Sequence, residues 1–417
     1  MKIAIVGAGI IGITTAYELA CDGHTVTVFE RNSAAAAETS FANAGLVAPG
    51  YVTPWAAPGM PAKVLGHLLS RHAPVKIGLP LSAADLSWMW RWWRACAPEV
   101  YAKNRARMQR LAFYSRQRLH HVCAERKLEY DRSDGYMVLL RSEKDQKLTR
   151  PGLQVLKDAG VSFSEIDEAA ARLIEPALNP DTRFAGAIHL PGDEVGNCRQ
   201  FALLLKDEAR RMGVRFEFEK TVVSLRPGTA PSLTLNHEEK EQVFDGIVVS
   251  AGWWSAAMLR PIGLSLPMAA VHGYSISANI LEPLNAPRSA VMDERFKVAI
   301  SRLGQRVRVA GSAELGGQPG KMRADSLNTL YKVLADWFPG AGQLSRGMQV
   351  WKGARPMLPD GPPVIGPSGA AGIWLNLGHG SSGWALSCGS ARALADLMAG
   401  RKAEVDLEGL GIERLRA

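Results

Sequence analysis

An α/β fold, with a nucleotide-binding domain and an interleaved α+β domain carrying a mixed or antiparallel sheet, is predicted by three observations. The chain opens on a buried-strand run, Lys2-Ile3-Ala4-Ile5-Val6, followed at once by Gly7-Ala8-Gly9-Ile10-Ile11-Gly12. A second apolar run, residues 25–29, ends in Glu30. Far along the chain a third, residues 244–252, again reads as a buried strand and leads into Ala251-Gly252.

Strand, glycine turn, helix and acid-ended strand, in that order, make a dinucleotide-binding unit. Gly7 permits the tight turn, Gly9 lets the backbone approach a pyrophosphate, and Gly12 lets the helix pack closely on the strand. The helix start, through Ala8, Ile10 and Ile11, offers N–H groups and partial positive charge to phosphates. Glu30 is placed to accept from a ribose hydroxyl, which favours NAD or FAD over NADP.

The 417 residues suffice for two or three domains. A content of 47% hydrophobic and 21% charged residues excludes a disordered or membrane-spanning chain. A strand starting at Lys2 leaves no room for a signal peptide, so a cytoplasmic enzyme is expected. Cys21, Cys96, Cys123, Cys198 and Cys388 are scattered, odd in number and without C-x-x-C spacing, which predicts reduced thiols and no metal site. The net charge is +9, with much of the excess at Lys103, Arg105, Arg107, Arg110, Arg116 and Arg118. These read as a solvated helix face. No zinc finger, helix-turn-helix or RNA-binding aromatic motif accompanies them, so nucleic acid is not an expected partner.

Along the chain, residues 31–50 are rich in Ala, Ser and Gly, and residues 51–80 read as irregular connection. Residues 82–126 are helical in pattern. Trp88, Met89, Trp92 and Trp93 share one arc, opposite Ser87, Arg91 and Arg94, which predicts a core-packed helix; a lipid-interface anchor is the alternative. Strand 136–140, helix 144–159, helix 199–212 and strand 214–218 follow. Strands 273–278, 297–301 and 306–310 suit a second sheet. Strand 372–377, a Gly-rich turn and helix 384–398 close the chain. The expected division is a nucleotide domain from residues 1–80, 146–260 and 351–417, and a substrate domain from residues 81–145 and 261–350. Such interleaving puts a ligand at the domain interface.

Several stretches carry a resemblance. They are Glu38-Thr39-Ser40-Phe41-Ala42-Asn43-Ala44-Gly45, Pro49-Gly50-Tyr51 with Pro54-Trp55-Ala56-Ala57-Pro58-Gly59, and His272-Gly273-Tyr274-Ser275. Gly353-Ala354-Arg355-Pro356-Met357-Leu358-Pro359-Asp360-Gly361 and Gly378-His379-Gly380-Ser381-Ser382-Gly383-Trp384 complete the set. With these, the chain resembles, over essentially its whole length, the D-amino-acid oxidase and glycine oxidase superfamily, and within it the bacterial D-amino-acid dehydrogenases of the small-subunit type. The resemblance implies a Rossmann-like FAD-binding domain of the glutathione-reductase type and non-covalent FAD. It implies oxidation of a D-amino acid by hydride transfer from Cα to flavin N5, with hydrolysis of the imino acid to a 2-oxo acid and ammonia. It also implies electron transfer to a quinone or another carrier, which would suit peripheral association with the cytoplasmic face of the inner membrane.

By the same resemblance Arg31, Thr39, Ser40, Asn43, Ala44, Gly45 and Leu46 contact FAD, the backbone of Val222 meets the adenine, and Arg355 holds the substrate carboxylate. A planar guanidinium suits that role, because it grips a carboxylate bidentately and orients the α-carbon. Tyr274 is a candidate second donor to that carboxylate, Tyr51 a candidate pocket wall, and His379 and His272 candidate acid/base or pocket residues. The turn through Gly378, Gly380, Ser381, Ser382 and Gly383 into Trp384 directs helix-start N–H groups at the flavin's pyrimidine edge. His272 stands where these dehydrogenases commonly carry Lys, Leu358 where they carry Thr, and Ser381 where glycine oxidase has a second Arg. D-alanine-like, bulkier and D-proline or cis-4-hydroxy-D-proline substrates therefore all stay open. A glycine/sarcosine-type oxidase or a nicotinamide-dependent dehydrogenase is the more distant alternative.

Overall fold

The computed structural model describes residues 1–67, 72–238, 240–318 and 320–415. One sheet has six strands in the order Val364–Pro367, Ile373–Leu377, Gly246–Val249, Lys2–Val6, Thr25–Phe29 and Arg215–Glu217. All neighbours pair in parallel except the first two. Successive side chains leave a strand on opposite faces, and both faces here are covered. Ile3, Ile5, Val26, Val28 and Val248 meet residues of helices Ile10–Cys21, Pro98–Arg126, Cys198–Arg211 and Gly383–Met398. Ala4, Val6, Phe29, Ile247 and Val249 meet the small antiparallel sheet Val222–Arg226, Ser232–Leu235, Gln242–Val243 and the segments beside it. Double coverage is why these strands read as unbroken apolar runs.

The other large sheet has ten strands and is mixed. Its path runs Gln349–Met357, Ala269–Asn279, Arg306–Gly316, Val298–Leu303, Ala290–Asp293, Ser133–Leu140, Gly186–Val195, Leu46–Val47. Val75–Gly78 pairs with Arg306–Gly316, and Ser164–Ile166 with Gly186–Val195. Helix Ala324–Trp337 packs Leu330, Val333, Leu334 and Trp337 against one of its faces.

The sheet membership differs from the expected division. Leu46–Val47, Val75–Gly78 and Gly186–Val195 join the ten-stranded sheet, although residues 1–80 and 146–260 were assigned to the nucleotide domain. Gln349–Met357 crosses the expected boundary at residue 351 and forms that sheet's edge. A strand's partner is set by hydrogen bonds to distant segments, which a local pattern does not encode. Residues 51–80 are not wholly irregular either: they hold helix Met60–His67 and strand Val75–Gly78, while residues 68–71 lie outside the described residues.

Residues 82–126 form two helices, Ala83–Ala95 and Pro98–Arg126. Pro98 lacks an N–H, ends the first helix and starts the second at a first-turn position where that donor is not needed. Trp88 is buried and stacks on Trp92, with Met89 against the same cluster. Trp93 instead is 52% exposed and leans on Trp90, itself 59% exposed. The basic residues of the second helix do not form a solvated face. The helix crosses the core, so its cations meet acids from other elements. Arg118 grips the buried Glu18 at 2.6 and 2.8 Å, Arg116 reaches Asp193, and Arg107 and Arg110 pair with Glu408 and Asp406. Arg105 is buried, and Lys103 is exposed. Among the described residues no helix is long and apolar enough to cross a membrane.

Candidate active site

The glycine turn after Lys2–Val6 is built as its spacing requires. Gly7 has φ +104°, and a Cβ there would lie 2.7 Å from the Ser250 carbonyl oxygen. At Gly12 a Cβ would lie 1.9 Å from the Gly7 oxygen, so helix and turn touch backbone to backbone. The N–H of Ala8 is not free for phosphate, since it donates to Glu30 Oε2 at 2.8 Å. Glu30 Oε1 accepts from the Asn32 N–H at 2.9 Å and from Asn32 Nδ2 at 2.7 Å. A carboxylate offers about four acceptor directions, so these bonds fix Glu30 in place and leave room for a ribose hydroxyl. The Ile10 N–H donates to Ser40 Oγ at 3.0 Å, which fastens the 39–46 segment onto the helix start beside Ile11.

Around that turn, Ser250 N donates to Val6 O, and Ala251 leads into Gly252, whose φ of +58° turns the chain. The Ser250 hydroxyl is buried and without a partner among the described residues. A polar cradle with close backbone approach and an unpaired hydroxyl fits a dinucleotide. Val222 begins a strand whose lead-in returns to Glu30 through Lys220 N–H to Glu30 O at 2.9 Å, which brings it beside Glu30. Arg31 binds Glu38 and lies 4.3 Å over the Trp254 ring.

Segments far apart in sequence then converge. Thr39 Oγ1 donates to Ala354 O at 2.6 Å, Ser301 Oγ to Ala44 O at 2.7 Å, and Arg308 to Asn43 O at 3.1 Å. Gly45 O accepts from Trp384 Nε1 at 3.2 Å and from Gly196 N at 2.9 Å. Asn43 Oδ1 accepts from the Gly45 N–H, and Leu46 pairs with Val195. Met357 bridges to His379, and a Cβ on Gly380 would lie 2.7 Å from Met357 Sδ. The turn through Gly378, Gly380, Ser381 and Ser382 therefore abuts the strand end that carries Arg355. It passes through the short 3-10 turn Gly380–Ser382 into helix Gly383–Met398.

Arg355 reaches from the edge strand, with Nη1 donating to Ser312 O at 3.1 Å. Among the described residues no carboxylate pairs with it. Burial lowers its pKa to about 10, which leaves it protonated at neutral pH. Gly273 makes its seat: a Cβ there would lie 2.3 Å from Arg355 Nη2 and 2.5 Å from Cζ. The motif around Gly273 was legible, but this role was not. A glycine inside a strand pattern marks close approach, and that was the available signal. Ser312 O, Ser277 and Arg308 were not foreseen.

Two expected roles are corrected. Tyr274 does not offer a free hydroxyl. It is 1% exposed and bonds Glu314, whose carboxylate also meets Lys352 at 3.0 Å and Arg323 at 3.4 Å. Burial opposes ionisation of Glu314, yet bonds from Tyr274, Lys352 and Arg323 hold its carboxyl below the ordinary range, so Tyr274 is its donor. His379 is 2% exposed, with Nε2 3.0 Å from Ser390 Oγ, and burial depresses its pKa to about 3. It is a neutral, hydrogen-bonded structural residue and no acid/base. Tyr51 packs edge-on against Tyr136 at 5.5 Å, among Leu46, Val161 and Phe163. Burial raises its pKa, so its phenol keeps its proton at neutral pH. His272 is buried, with Nδ1 unpartnered among the described residues.

Residues 2–397 match the family described as DAO, FAD dependent oxidoreductase. A protein of Cereibacter sphaeroides named D-amino acid dehydrogenase is 44% identical over 99% of this chain and 95% of its own length. One of Bradyrhizobium diazoefficiens with the same name is 43% identical over 99% of each chain. Glycine oxidase from Geobacillus kaustophilus superposes with a TM-score of 0.75 at 21% identity, over 99% of this chain and 98% of that one. L-proline dehydrogenase from P. horikoshii does so with 0.73 at 15% identity, over 100% and 97%. These structures share the fold. Matched from residue 2 nearly to its end, and flanked by full-length relatives, the chain belongs to the DAO family of FAD dependent oxidoreductases.

Proposed function

We propose that the chain is an FAD-dependent dehydrogenase that oxidises the α-amine of a D-amino acid. One observation carries the reading: Arg355, a cation with no carboxylate partner among the described residues, stands where the 39–46 segment and the Gly378–Gly383 turn meet. The relatives named D-amino acid dehydrogenase support the substrate class.

Arg355 takes the substrate carboxylate in a bidentate grip, which orients the Cα–H and the amine. Gly273 and Ser312 O hold the guanidinium for that grip. Tyr51, packed against Tyr136 and its neighbours, is the proposed apolar wall. Bound FAD supplies the two-electron acceptor for the Cα–H bond. No side-chain base is required if the amine is neutral, and His379, held uncharged beside Ser390, is not placed to act as one. The imino acid released takes up water and gives a 2-oxo acid and ammonia, whereas a proline-type substrate gives a cyclic imine. Orientation of this kind is worth ~7–11 kcal/mol over a bimolecular encounter.

The test is anaerobic mixing with D- and L-amino acids while flavin absorbance is followed, then a panel including D-alanine and cis-4-hydroxy-D-proline with a dye acceptor. Bleaching by L-isomers alone overturns the stereochemical reading. The proposed acceptor is a quinone, reached by peripheral contact with an anionic bilayer. Supporting this are the exposed Leu86, Trp90 and Trp93 beside Arg91 and Arg94, the amphipathic composition that interfaces favour. Flotation with anionic vesicles, lost in Trp90→Glu/Trp93→Glu, checks the contact; equal flotation of both proteins removes it.

A further inference from the structure

Arg308 is buried inside the sheet, at 7% exposure, and no step above uses it. It stands on strand Arg306–Gly316 opposite Ser277 on one side and Ser301 on the other. Its Nε donates to Ser277 Oγ at 2.8 Å and its Nη1 to Asn43 O at 3.1 Å. Ser301, its neighbour in register, donates to Ala44 O. The guanidinium thus lies directly behind the 43–45 segment.

A buried charge normally has a partner of opposite sign. Among the described residues no carboxylate pairs with Arg308, and its charged neighbours are Arg306 and Arg199. Arg306 is tied to Asn279 and Ser277 O, while Arg199 lies 4.1 Å over the Phe41 ring. The Cys198 thiol nearby is pushed up to about 12 by burial and stays neutral. Desolvation lowers Arg308 to about 10, so it remains charged at neutral pH. The protein keeps a positive field here that no carboxylate among the described residues compensates, at a cost in stability, and among those residues its direct partners are carbonyl and hydroxyl dipoles.

We propose that Arg308 is the electrostatic counterpart of the reduced cofactor: a fixed cation behind residues 43–45 that favours bound FAD in its anionic, two-electron reduced form. This rests on the FAD reading and extends it, because the charge acts on the cofactor's redox equilibrium and not on the substrate. A fixed charge in a dry site requires no reorganisation when the cofactor becomes negative. Its role is distinct from that of Arg355, which meets the substrate.

The experiment measures the two-electron midpoint potential of the purified holoprotein by dye equilibration, together with its affinity for sulfite, which adds as an anion to oxidised flavins. Arg308→Gln removes the charge. Ser277→Asp keeps Arg308 and neutralises it at its own hydrogen-bond partner. Both are expected to weaken reduction about tenfold, which is ~30 mV for a two-electron couple, and to weaken sulfite binding in parallel. Arg308→Lys, which keeps a charge but loses the planar fork, is expected to stay close to the parent. A merely structural arginine predicts the reverse grouping, with Lys and Gln alike and Ser277→Asp near the parent. An unchanged potential in whichever neutralising variant retains FAD overturns the proposal. A parent protein that purifies without FAD overturns the cofactor reading itself, so the two failures are distinguishable.

Discussion

Gly273→Ala is the most discriminating perturbation of the substrate anchor, because it adds one methyl group and removes no functional atom. The Gly273 backbone is not in the left-handed region, so alanine fits its conformation. The added Cβ would stand 2.3, 2.5 and 2.9 Å from Arg355 Nη2, Cζ and Nη1. Contact needs roughly 3.4 Å or more, so the guanidinium must retreat by about 1 Å. That movement breaks its alignment with Ser312 O, now 3.1 Å from Nη1. The end of a long side chain yields easily, and alanine in a strand recovers ~0.5–1 kcal/mol of glycine's entropic cost. Thermal stability is therefore expected to hold or rise slightly. Function should not hold. A charge-assisted hydrogen bond lost to a carboxylate is worth ~1.5–3 kcal/mol, and a misplacement of about 1 Å can cost on the order of 100-fold. The expected fall in kcat/KM is about 10- to 100-fold, carried mainly by KM since the carboxylate is held alike in ground and transition states. Steady-state kinetics with D-alanine and a dye acceptor, beside a melting curve, make the measurement. A Gly273→Ala enzyme within about twofold of the parent in kcat/KM would refute the claim that Gly273 seats Arg355.

Arg355→Met is expected to lose apparent affinity for carboxylate substrates by at least about 100-fold. The apoprotein should be no less stable, since among the described residues the arginine has no carboxylate to abandon; a lowered melting temperature with unchanged KM would reverse that assignment. Gly12→Ala drives a Cβ to 1.9 Å from backbone oxygen that cannot move aside. It should cost several kcal/mol, roughly 3 or more, read by denaturant unfolding. For His379 the folded pKa of about 3 lies below the ordinary 6.5, so the unfolded chain binds the proton first. Its contribution is complete above pH 6.5 and is lost as pH falls towards 3, by up to on the order of 5 kcal/mol. His379→Gln should flatten that acid limb in pH-dependent melting while leaving the pH profile of turnover unchanged, and a displaced profile would restore His379 as an acid/base.

Much of the candidate site was legible because its parts are local. Gly7, Gly9, Gly12 and Glu30 act through turn geometry and one short strand-helix-strand unit, so their spacing alone carries the meaning. Gly45, with φ +80° and a Cβ that would meet Gly196 O at 2.8 Å, was flagged within a small-residue stretch. Tyr274 and His379 were misassigned for a common reason. A polar side chain in a motif shows what it could donate, whereas its partner sits on another strand or helix. Glu314 and Ser390 settled those two cases. The basic residues of Pro98–Arg126 failed likewise, for their acids come from helix Ile10–Cys21 and from residues 193, 406 and 408.

By itself the sequence determined the nucleotide-binding unit, the alternation of covered strands and helices, and the residue types that chemistry at a flavin demands. These follow from steric rules and periodicities acting over a few residues. Only the tertiary structure decided that Leu46–Val47, Val75–Gly78 and Gly186–Val195 belong to the ten-stranded sheet. It alone showed that Arg355 rests on Gly273, that Tyr274 serves Glu314, and that Arg308 stands without a counter-ion among the described residues. Pairing across a sheet and neutralisation of charge depend on which distant segments meet, and that is set by packing the whole chain rather than by any window of it.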